Sequence, residues 1–185
     1  AEHIIPAADV SEQISMAGKE ASGTSNMKFM MNGALTLGTL DGANVEILEA
    51  VGDDNAYIFG ATEDELTALR ESYDPVWHYE NVPGLKRVLD AFTDGTLDDN
   101  GSGWFADLRR SLLEASHEPA DVYYVLGDFA SYRETKDAMA ADYADTRAWQ
   151  RKAWVNITRS GRFSSDRTIS DYAREVWKID PEPIA

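Results

Sequence analysis

Cysteine is absent from the 185-residue sequence. A chain without thiols forms no disulfide, offers no thiolate nucleophile and builds no zinc site from cysteine ligands. The histidines do not replace them, because they lie far apart and lack a second ligand at metal-binding spacing; they are His3, His78 and His117. We therefore expect no metal site. The absence of cysteine is compatible with a reducing cytoplasm, which is the location we expect.

Positive charge and long apolar runs are also scarce. The sequence has 17 Lys and Arg against 33 Asp and Glu, which gives a formal net charge of −16 at pH 7. Nucleic acids and anionic membrane surfaces repel such an acidic protein. No stretch is apolar enough over sufficient length to cross a bilayer. The sequence therefore predicts neither a nucleic-acid partner nor a membrane partner.

Short apolar runs alternate with glycine-rich turns in residues 1–60, a pattern typical of α/β structure. We predict a strand at residues 35–40, a turn at Asp41 and Gly42, a helix at residues 43–51 and a second strand at residues 57–59. A strand, helix and strand joined by short turns form a βαβ unit, whose strands run parallel with a right-handed crossover.

Residues 61–185 read as mainly helical. Thr62 and Glu65 have the spacing of a capping box at a helix start. Apolar periodicity predicts helices at residues 83–93 and 104–116, with a short strand at residues 122–126. Three further helices are expected to be capped by Asp128, Asp145 and Ser165. Their inward faces are predicted to carry Tyr132, Met139, Trp149, Ala153, Ile157, Ile169, Ala173 and Val176.

The two regions carry no linker between them, and we interpret residues 1–185 as a single truncated domain. A chain that is 43% hydrophobic at this length can bury a real core. It begins with Ala-Glu-His-Ile-Ile-Pro and no initiator methionine. We therefore expect a piece of a longer protein.

The candidate site surrounds one lysine. Small polar residues fill positions 21–26, and Lys28 follows them among Met27, Phe29 and other apolar residues. A phosphate can bind the unpartnered N–H groups at a helix start, where the helix dipole is positive. An amine one turn further on could hold an aldehyde cofactor, and burial would favour its reactive neutral form. The alternative is an ordinary solvated lysine whose stem covers apolar neighbours.

The amino-acid sequence of residues 5–46 as a whole favours the cofactor-holding lysine over the solvated one. It reads IPAADVSEQISMAGKEASGTSNMKFMMNGALTLGTLDGANVE, and it closely resembles the pyridoxal-phosphate segment of the α-glucan phosphorylases, the glycogen, starch and maltodextrin enzymes. Residues 160–177, SGRFSSDRTISDYAREVW, resemble the C-terminal signature of that family. The resemblance extends over essentially the full chain, is weakest at residues 61–145, and corresponds to only the last part of a phosphorylase.

The resemblance implies roles for particular residues. Lys28 matches the lysine that holds pyridoxal 5′-phosphate as a Schiff base. The segment that contacts the cofactor phosphate is matched by Gly23, Thr24 and Ser25, and the positions that hydrogen-bond the transferred glucosyl unit are matched by Glu20, Ser22 and Gly23. Ser25 stands where the family commonly has glycine, so a positive φ there would strain the backbone. No complete set of catalytic residues is expected within this chain.

The resemblance also implies a fold and an activity. The fold would be α/β: the C-terminal half of a Rossmann-like domain of the two-domain glycosyltransferase architecture, with parallel strands and a predominantly helical C-terminal region. The activity would be that of a glycosyltransferase, moving a glucosyl unit from an α-1,4-glucan to inorganic phosphate to give α-glucose 1-phosphate. The intact enzyme would be a homodimer, and the fragment alone would be inactive.

Other functions stay open at this point. The chain could be a non-catalytic anion or sugar-phosphate binding module that uses residues 23–26 without a covalent cofactor. It could instead be a helical interaction domain in which residues 61–185 carry the function. Borohydride would fix pyridoxal phosphate onto Lys28 of a phosphorylase, whereas a binding module would release it and a helical adaptor would not take it. Preference for glycogen, starch or maltodextrin is not decided by these residues.

Overall fold

A parallel three-stranded sheet with order β1-β2-β3 lies at the centre of the N-terminal region. The computed structural model describes residues 1–180 and 182. The strands are β1 (Val10–Gln13), β2 (Leu35–Gly38) and β3 (Tyr57–Ile58). All residues of β2 are buried. Burial along a whole strand is expected where helices cover both faces of a parallel sheet.

Helices make up most of the remaining chain. They are α1 (Thr24–Met31), α2 (Ala43–Val51), α3 (Glu63–Leu69), α4 (Pro75–Asn81), α5 (Leu85–Asp90), α6 (Trp104–Leu113), α7 (Val125–Tyr143), α8 (Thr146–Arg159) and α9 (Ser165–Asp171). Short 3₁₀ turns occur at Ile5–Ala7, Asp53–Asn55 and Ser160–Phe163, and a π-helical segment at Tyr172–Trp177 follows α9. No helix in residues 1–180 and 182 combines the length and the hydropathy needed to cross a bilayer.

The predicted βαβ unit is confirmed. Strands β2 and β3 pair in parallel, and α2 between them ends at Gly52, as the sequence indicated. Strand β1 was not predicted, because Val10 is its only apolar residue. It pairs in parallel with β2, and α1 connects the two. The N-terminal region is therefore a continuous β-α-β-α-β chain.

Several predictions in the helical region are corrected. The expected helix at 83–93 is shorter and is preceded by α4, which the sequence analysis missed. The expected strand at 122–126 is wrong: α7 begins at Val125, and its first N–H groups bond to the Asp121 carboxylate, which fixes the start of the helix. Asp128 is not an N-cap, because it lies inside α7 and accepts the N–H of Ala61 at 2.9 Å.

Other capping predictions hold. Thr62 and Glu65 form the predicted capping box at α3. Asp145 caps α8 by accepting the N–H groups of Arg147 and Ala148. Helix α9 is capped by Ser164, one residue before the predicted Ser165.

The core consists of clusters on both faces of the sheet. On one face α7 and α8 cover the strands through Leu35, Leu37, Tyr57, Phe59, Met139 and Trp149. On the other face α1 and α2 pack through Met30, Ile47, Val51 and Ala56. A further cluster in the helical region contains Tyr79, Leu85, Leu89 and Leu126. The sheet is therefore covered on both sides, which holds the loops at its edge in fixed positions.

The predicted inward faces are only partly correct. Met139 and Trp149 are buried, and Tyr132 and Ala153 pack against them. Ile169 and Val176 are instead 57% and 62% exposed. The periodicity identified an apolar face, but no described residue of the chain covers it.

Candidate functional site

The start of α1 offers unpartnered hydrogen-bond donors. The helix begins at Thr24 after Gly23, whose φ is 82°, and no side chain caps it. The first N–H groups of any helix lack a carbonyl partner within the helix. The first turn contains no acidic residue that would repel an anion. Thr24 and Ser25 are both exposed, so their hydroxyls can join these N–H groups.

Ser25 fits this site without backbone strain. It lies in the first turn of α1, where the backbone is right-handed helical, and it is not among the described residues with positive φ. The glycine with positive φ is Gly23, directly before the helix. Serine in place of the family's usual glycine therefore does not distort this helix start.

Lys28 lies one helical turn after Thr24, on the same side of α1. It is exposed, whereas Met30 on the other side of the helix is fully buried. The expectation that Lys28 is buried beside Met27 and Phe29 is therefore wrong for the described residues, because the buried side of α1 faces α2. Lys28 is therefore exposed one turn beyond the uncapped start of α1.

The expected sugar-contacting residues precede α1 directly. Glu20 and Ser22 are exposed and Gly23 is half-buried. The Ser22 N–H donates to Glu20 Oε1 at 3.3 Å, which turns the glutamate back toward its own loop. The structure thus brings all the predicted site residues onto one continuous surface, formed by the loop and the first turns of α1.

Buried polar residues that the sequence analysis did not assign to the site support this surface from below. Asp41 accepts the N–H groups of Gly18 and Glu20, each at 2.9 Å. Thr39 donates its hydroxyl to the Ser15 carbonyl at 2.6 Å. We predicted only a turn here. The sequence does place these polar residues directly after an apolar strand, and this could have indicated their role. Ligands of parallel sheets bind at the carboxyl ends of the strands.

A pair of asparagines connects α1 to the same turn. Asn26 Nδ2 donates to Asn44 Oδ1 at 2.9 Å, and Asn44 Nδ2 donates to the Thr39 carbonyl at 3.0 Å. Both side chains are buried. Asn44 uses both its acceptor and its donor in this chain of bonds, while Asn26 Oδ1 accepts the Met27 N–H at 3.1 Å, so the first turn of α1 has a defined position relative to α2.

The two stretches that carry the family resemblance meet in space. A cavity of about 290 Å³ lies between the loop before α1 and the C-terminal segment; it is lined by Ala21, Ser22, Met27, Glu46, Arg162, Phe163, Arg167 and Thr168. Arg162 pairs with Glu49 at 2.8 Å, and Arg167 pairs with Asp171 at 2.6 Å. Residues 160–177 therefore pack beside the stretch 5–46.

A larger cavity of about 570 Å³ lies away from these residues, between α5, α6 and the start of α7. Its lining is mostly apolar and includes Leu85, Leu112 and Phe129. In residues 1–180 and 182 there is no group of three His, Cys, Asp or Glu side chains placed to hold a metal ion.

The fold and site define an α/β chain with an uncapped helix start one turn before an exposed lysine. The family model described as carbohydrate phosphorylase matches residues 1–179, so the chain belongs to the carbohydrate phosphorylase family.

Glycogen phosphorylases are among its relatives. That of Synechocystis sp. is 48% identical over 184 residues, 99% of this chain and 21% of the relative. The Bacillus subtilis enzyme is 48% identical over 183 residues, 98% of this chain and 22% of the relative. The human liver form is 43% identical over 185 residues, 100% of this chain and 21% of the relative. The chain thus spans about a fifth of the length of these relatives.

Proposed function

We propose that these residues form the cofactor-holding segment and part of the glucosyl-binding edge of a pyridoxal-phosphate-dependent α-1,4-glucan phosphorylase. The observation that carries the proposal is the arrangement at α1. Its unpartnered N–H groups and the Thr24 hydroxyl lie one helical turn before the exposed Lys28, with no carboxylate in the first turn. Membership of the carbohydrate phosphorylase family supports the same activity.

The residues present fit pyridoxal phosphate. Gly23, Thr24 and Ser25 would hold its phosphate through N–H groups and hydroxyls, and Lys28 would hold its aldehyde. When bound, the cofactor supplies a phosphate whose second pKa of about 6 suits proton transfer at neutral pH. In this arrangement Lys28 anchors the cofactor, because the helix start and not the amine faces the phosphate.

The loop before α1 would bind the transferred glucosyl unit. The Glu20 carboxylate accepts hydrogen bonds from sugar hydroxyls, while the Ser22 hydroxyl and the Gly23 N–H donate to them. Substrates would be an α-1,4-glucan and phosphate, with glucose 1-phosphate as product. The remaining groups that act on the substrate phosphate would come from parts of the protein outside this chain.

The proposal includes the architecture. The β-α-β-α-β order supports a Rossmann-like half-domain, and contacts of α7 and α8 with the sheet support one domain over the chain. We further propose a homodimeric, cytoplasmic enzyme when the chain is part of a protein as long as its relatives.

Borohydride trapping tests the cofactor assignment. The full-length protein that carries these residues is incubated with pyridoxal phosphate, reduced and mapped by peptide mass spectrometry. We expect the label on Lys28 and its loss in Lys28→Arg. Lys19→Arg is the matched control, because Lys19 is an exposed lysine in the preceding loop. Label on Lys19, or reversible binding without any label, would contradict the proposal, and the second result would favour an anion-binding module.

A further inference from the structure

A buried carboxylate lies beneath the loop that carries Glu20 and Ser22. Asp41 is 4% exposed and follows β2 in the turn that leads into α2. Its Oδ1 accepts the Gly18 N–H and its Oδ2 accepts the Glu20 N–H, both at 2.9 Å. Because both oxygens bond to the same loop, they fix its distance from the sheet and its tilt. Hydrogen bonds to an ionised acceptor are the strong ones in proteins.

Neighbouring bonds from the same turn fix the ends of this loop. The Thr39 hydroxyl donates to the Ser15 carbonyl at 2.6 Å, and the Ala43 N–H donates to the Ser22 carbonyl. The loop is therefore held at Ser15, Gly18, Glu20 and Ser22 by two residues of the turn after β2 and by the first residue of α2.

The charge of Asp41 makes this attachment stiff. None of the ion pairs in the described part of the chain includes Asp41. A buried carboxylate is costly without compensating hydrogen bonds. Moving the loop away from Asp41 would remove that compensation, so the free energy rises steeply with displacement of Gly18 and Glu20.

We infer that Asp41 is a positioning residue for the glucosyl-contacting loop, an inference that rests on the proposed function. It acts through the main chain of Glu20 and the residues around it, and does not touch the sugar. The cofactor side of the site is attached through other side chains, because Asn26 bonds to Asn44, Asn44 bonds to the Thr39 carbonyl, and neither amide bonds to the Asp41 carboxylate. Loss of Asp41 should therefore impair use of the glucosyl substrate and spare the cofactor.

The test compares Asp41→Asn with Asp53→Asn in the full-length protein. Asparagine keeps the size of Asp41 but places an NH₂ group opposite one of the N–H donors. Asp53 undergoes the same chemical change at an exposed position. We expect kcat/KM for glucose 1-phosphate to fall roughly tenfold to a hundredfold in Asp41→Asn. Bound pyridoxal phosphate per subunit and the KM for the glucan acceptor should match wild type, and Asp53→Asn should change nothing.

Amide exchange on the same proteins measures the attachment independently of activity. We expect the peptide that spans residues 15–22 to exchange about tenfold faster in Asp41→Asn and at the wild-type rate in Asp53→Asn. Unchanged exchange, or unchanged kinetics in an active protein, overturns the inference. Parallel loss of cofactor, acceptor affinity and thermal stability also overturns it, because that pattern marks a general structural role. An inactive wild-type protein would refute the proposed function, whereas the exchange comparison would still decide whether Asp41 holds the loop.

Discussion

Thr24 is the first residue of α1, and both its N–H and its hydroxyl are proposed to bind the cofactor phosphate. It opens α1, its side chain is exposed, and neither its N–H nor its hydroxyl is needed by another described residue. Both groups can therefore bind a ligand without breaking a hydrogen bond within the described chain. The N-cap of α1 is Gly23 and not Asp or Asn. This fits the proposed site, because a side-chain cap would occupy the N–H donors that an anion needs.

Thr24→Ala should weaken cofactor retention. A hydroxyl that donates to a phosphate forms a charge-assisted hydrogen bond, and its loss costs roughly 1.5–3 kcal/mol. The cofactor off-rate of the full-length protein, followed by absorbance after dilution, measures the change. Thr67→Ala, at an exposed threonine of α3, serves as the control. Equal off-rates for Thr24→Ala and wild type would show that the hydroxyl does not bind the phosphate.

Gly42→Ala should destabilise the chain more than Gly52→Ala. Both glycines have positive φ, 51° and 79°, at which a side chain is strained. A Cβ at Gly42 would lie 2.5 Å from the Ser22 carbonyl oxygen, whereas a Cβ at Gly52 has no atom within 4 Å. Both variants carry backbone strain, and Gly42→Ala adds the clash with the Ser22 carbonyl, about 1–3 kcal/mol by analogy with overpacked cores. Urea unfolding of both variants measures the difference, and equal midpoints and slopes would contradict the contact.

At the scale of elements, local signals predicted the βαβ unit around α2. The strand, helix and strand around Ala43–Val51 follow from an apolar run, a glycine turn and a closing Gly52. Strand β1 contains too few apolar residues to be recognised alone and depends on its pairing with β2. Residues 122–126 have strong β propensity, yet the Asp121 carboxylate starts a helix there. Pairing with another strand decided the first case, and a local side-chain cap overrode β propensity in the second.

In the candidate site, too, features within one contiguous stretch were predicted and contacts between distant residues were not. Lys28, Thr24 and Glu20 were predicted as site residues because they lie in the contiguous stretch 5–46, whose sequence resembles the family. The bonds of Asp41 to Gly18 and Glu20 join residues far apart in sequence, and no periodicity or composition indicates such contacts. The exposure of Lys28 was not predicted either, because it depends on which side of α1 faces α2.

Helix α7 is attached to the end of β3 through Asp128, and this attachment should depend on pH. Asp128 accepts the Ala61 N–H at 2.9 Å. Burial, with smaller effects from the Asp121 and Glu65 carboxylates, raises the pKa of Asp128 above its ordinary value. The folded state therefore holds this proton more tightly than the unfolded state. The resulting stabilisation is complete below the unfolded-state pKa of about 4 and is lost as pH rises through the folded-state pKa.

Asp128→Asn should remove this dependence. The amide keeps an acceptor for the Ala61 N–H and carries no charge, so the variant should be more stable than wild type at pH 7. The two proteins should converge below about pH 4, where the wild-type carboxyl is protonated in both states. Urea unfolding across this pH range measures both limits, with the exposed Asp53→Asn as control. A variant that is less stable than wild type at pH 7 would show that the charged carboxylate stabilises the attachment.

The whole chain presents apolar and hydrogen-bonding surface that its described residues do not cover. The outer side of β1 pairs with no other strand in residues 1–180 and 182, and Ile14 beside it is 67% exposed. Ile169 and Val176 form a second exposed apolar face beyond α8. Parallel strands are normally buried in larger sheets, and an uncovered edge is a template for pairing with another chain.

The isolated 185 residues should therefore self-associate through β1 and should not catalyse phosphorolysis. In a parallel ladder alternate residues bond to the same neighbouring strand, and the carbonyls of Asp9 and Gln13 accept the N–H groups of Leu35 and Thr39. Glu12 thus directs its N–H outward, and Glu12→Pro should block the edge without removing a bond to β2. Sedimentation velocity should show oligomers for wild type and for Val176→Ser, and a monomer for Glu12→Pro. Glucose 1-phosphate formation, assayed on the same samples with added pyridoxal phosphate, should be absent throughout. A monomeric wild-type chain with measurable turnover would show that the site needs no further part of the protein.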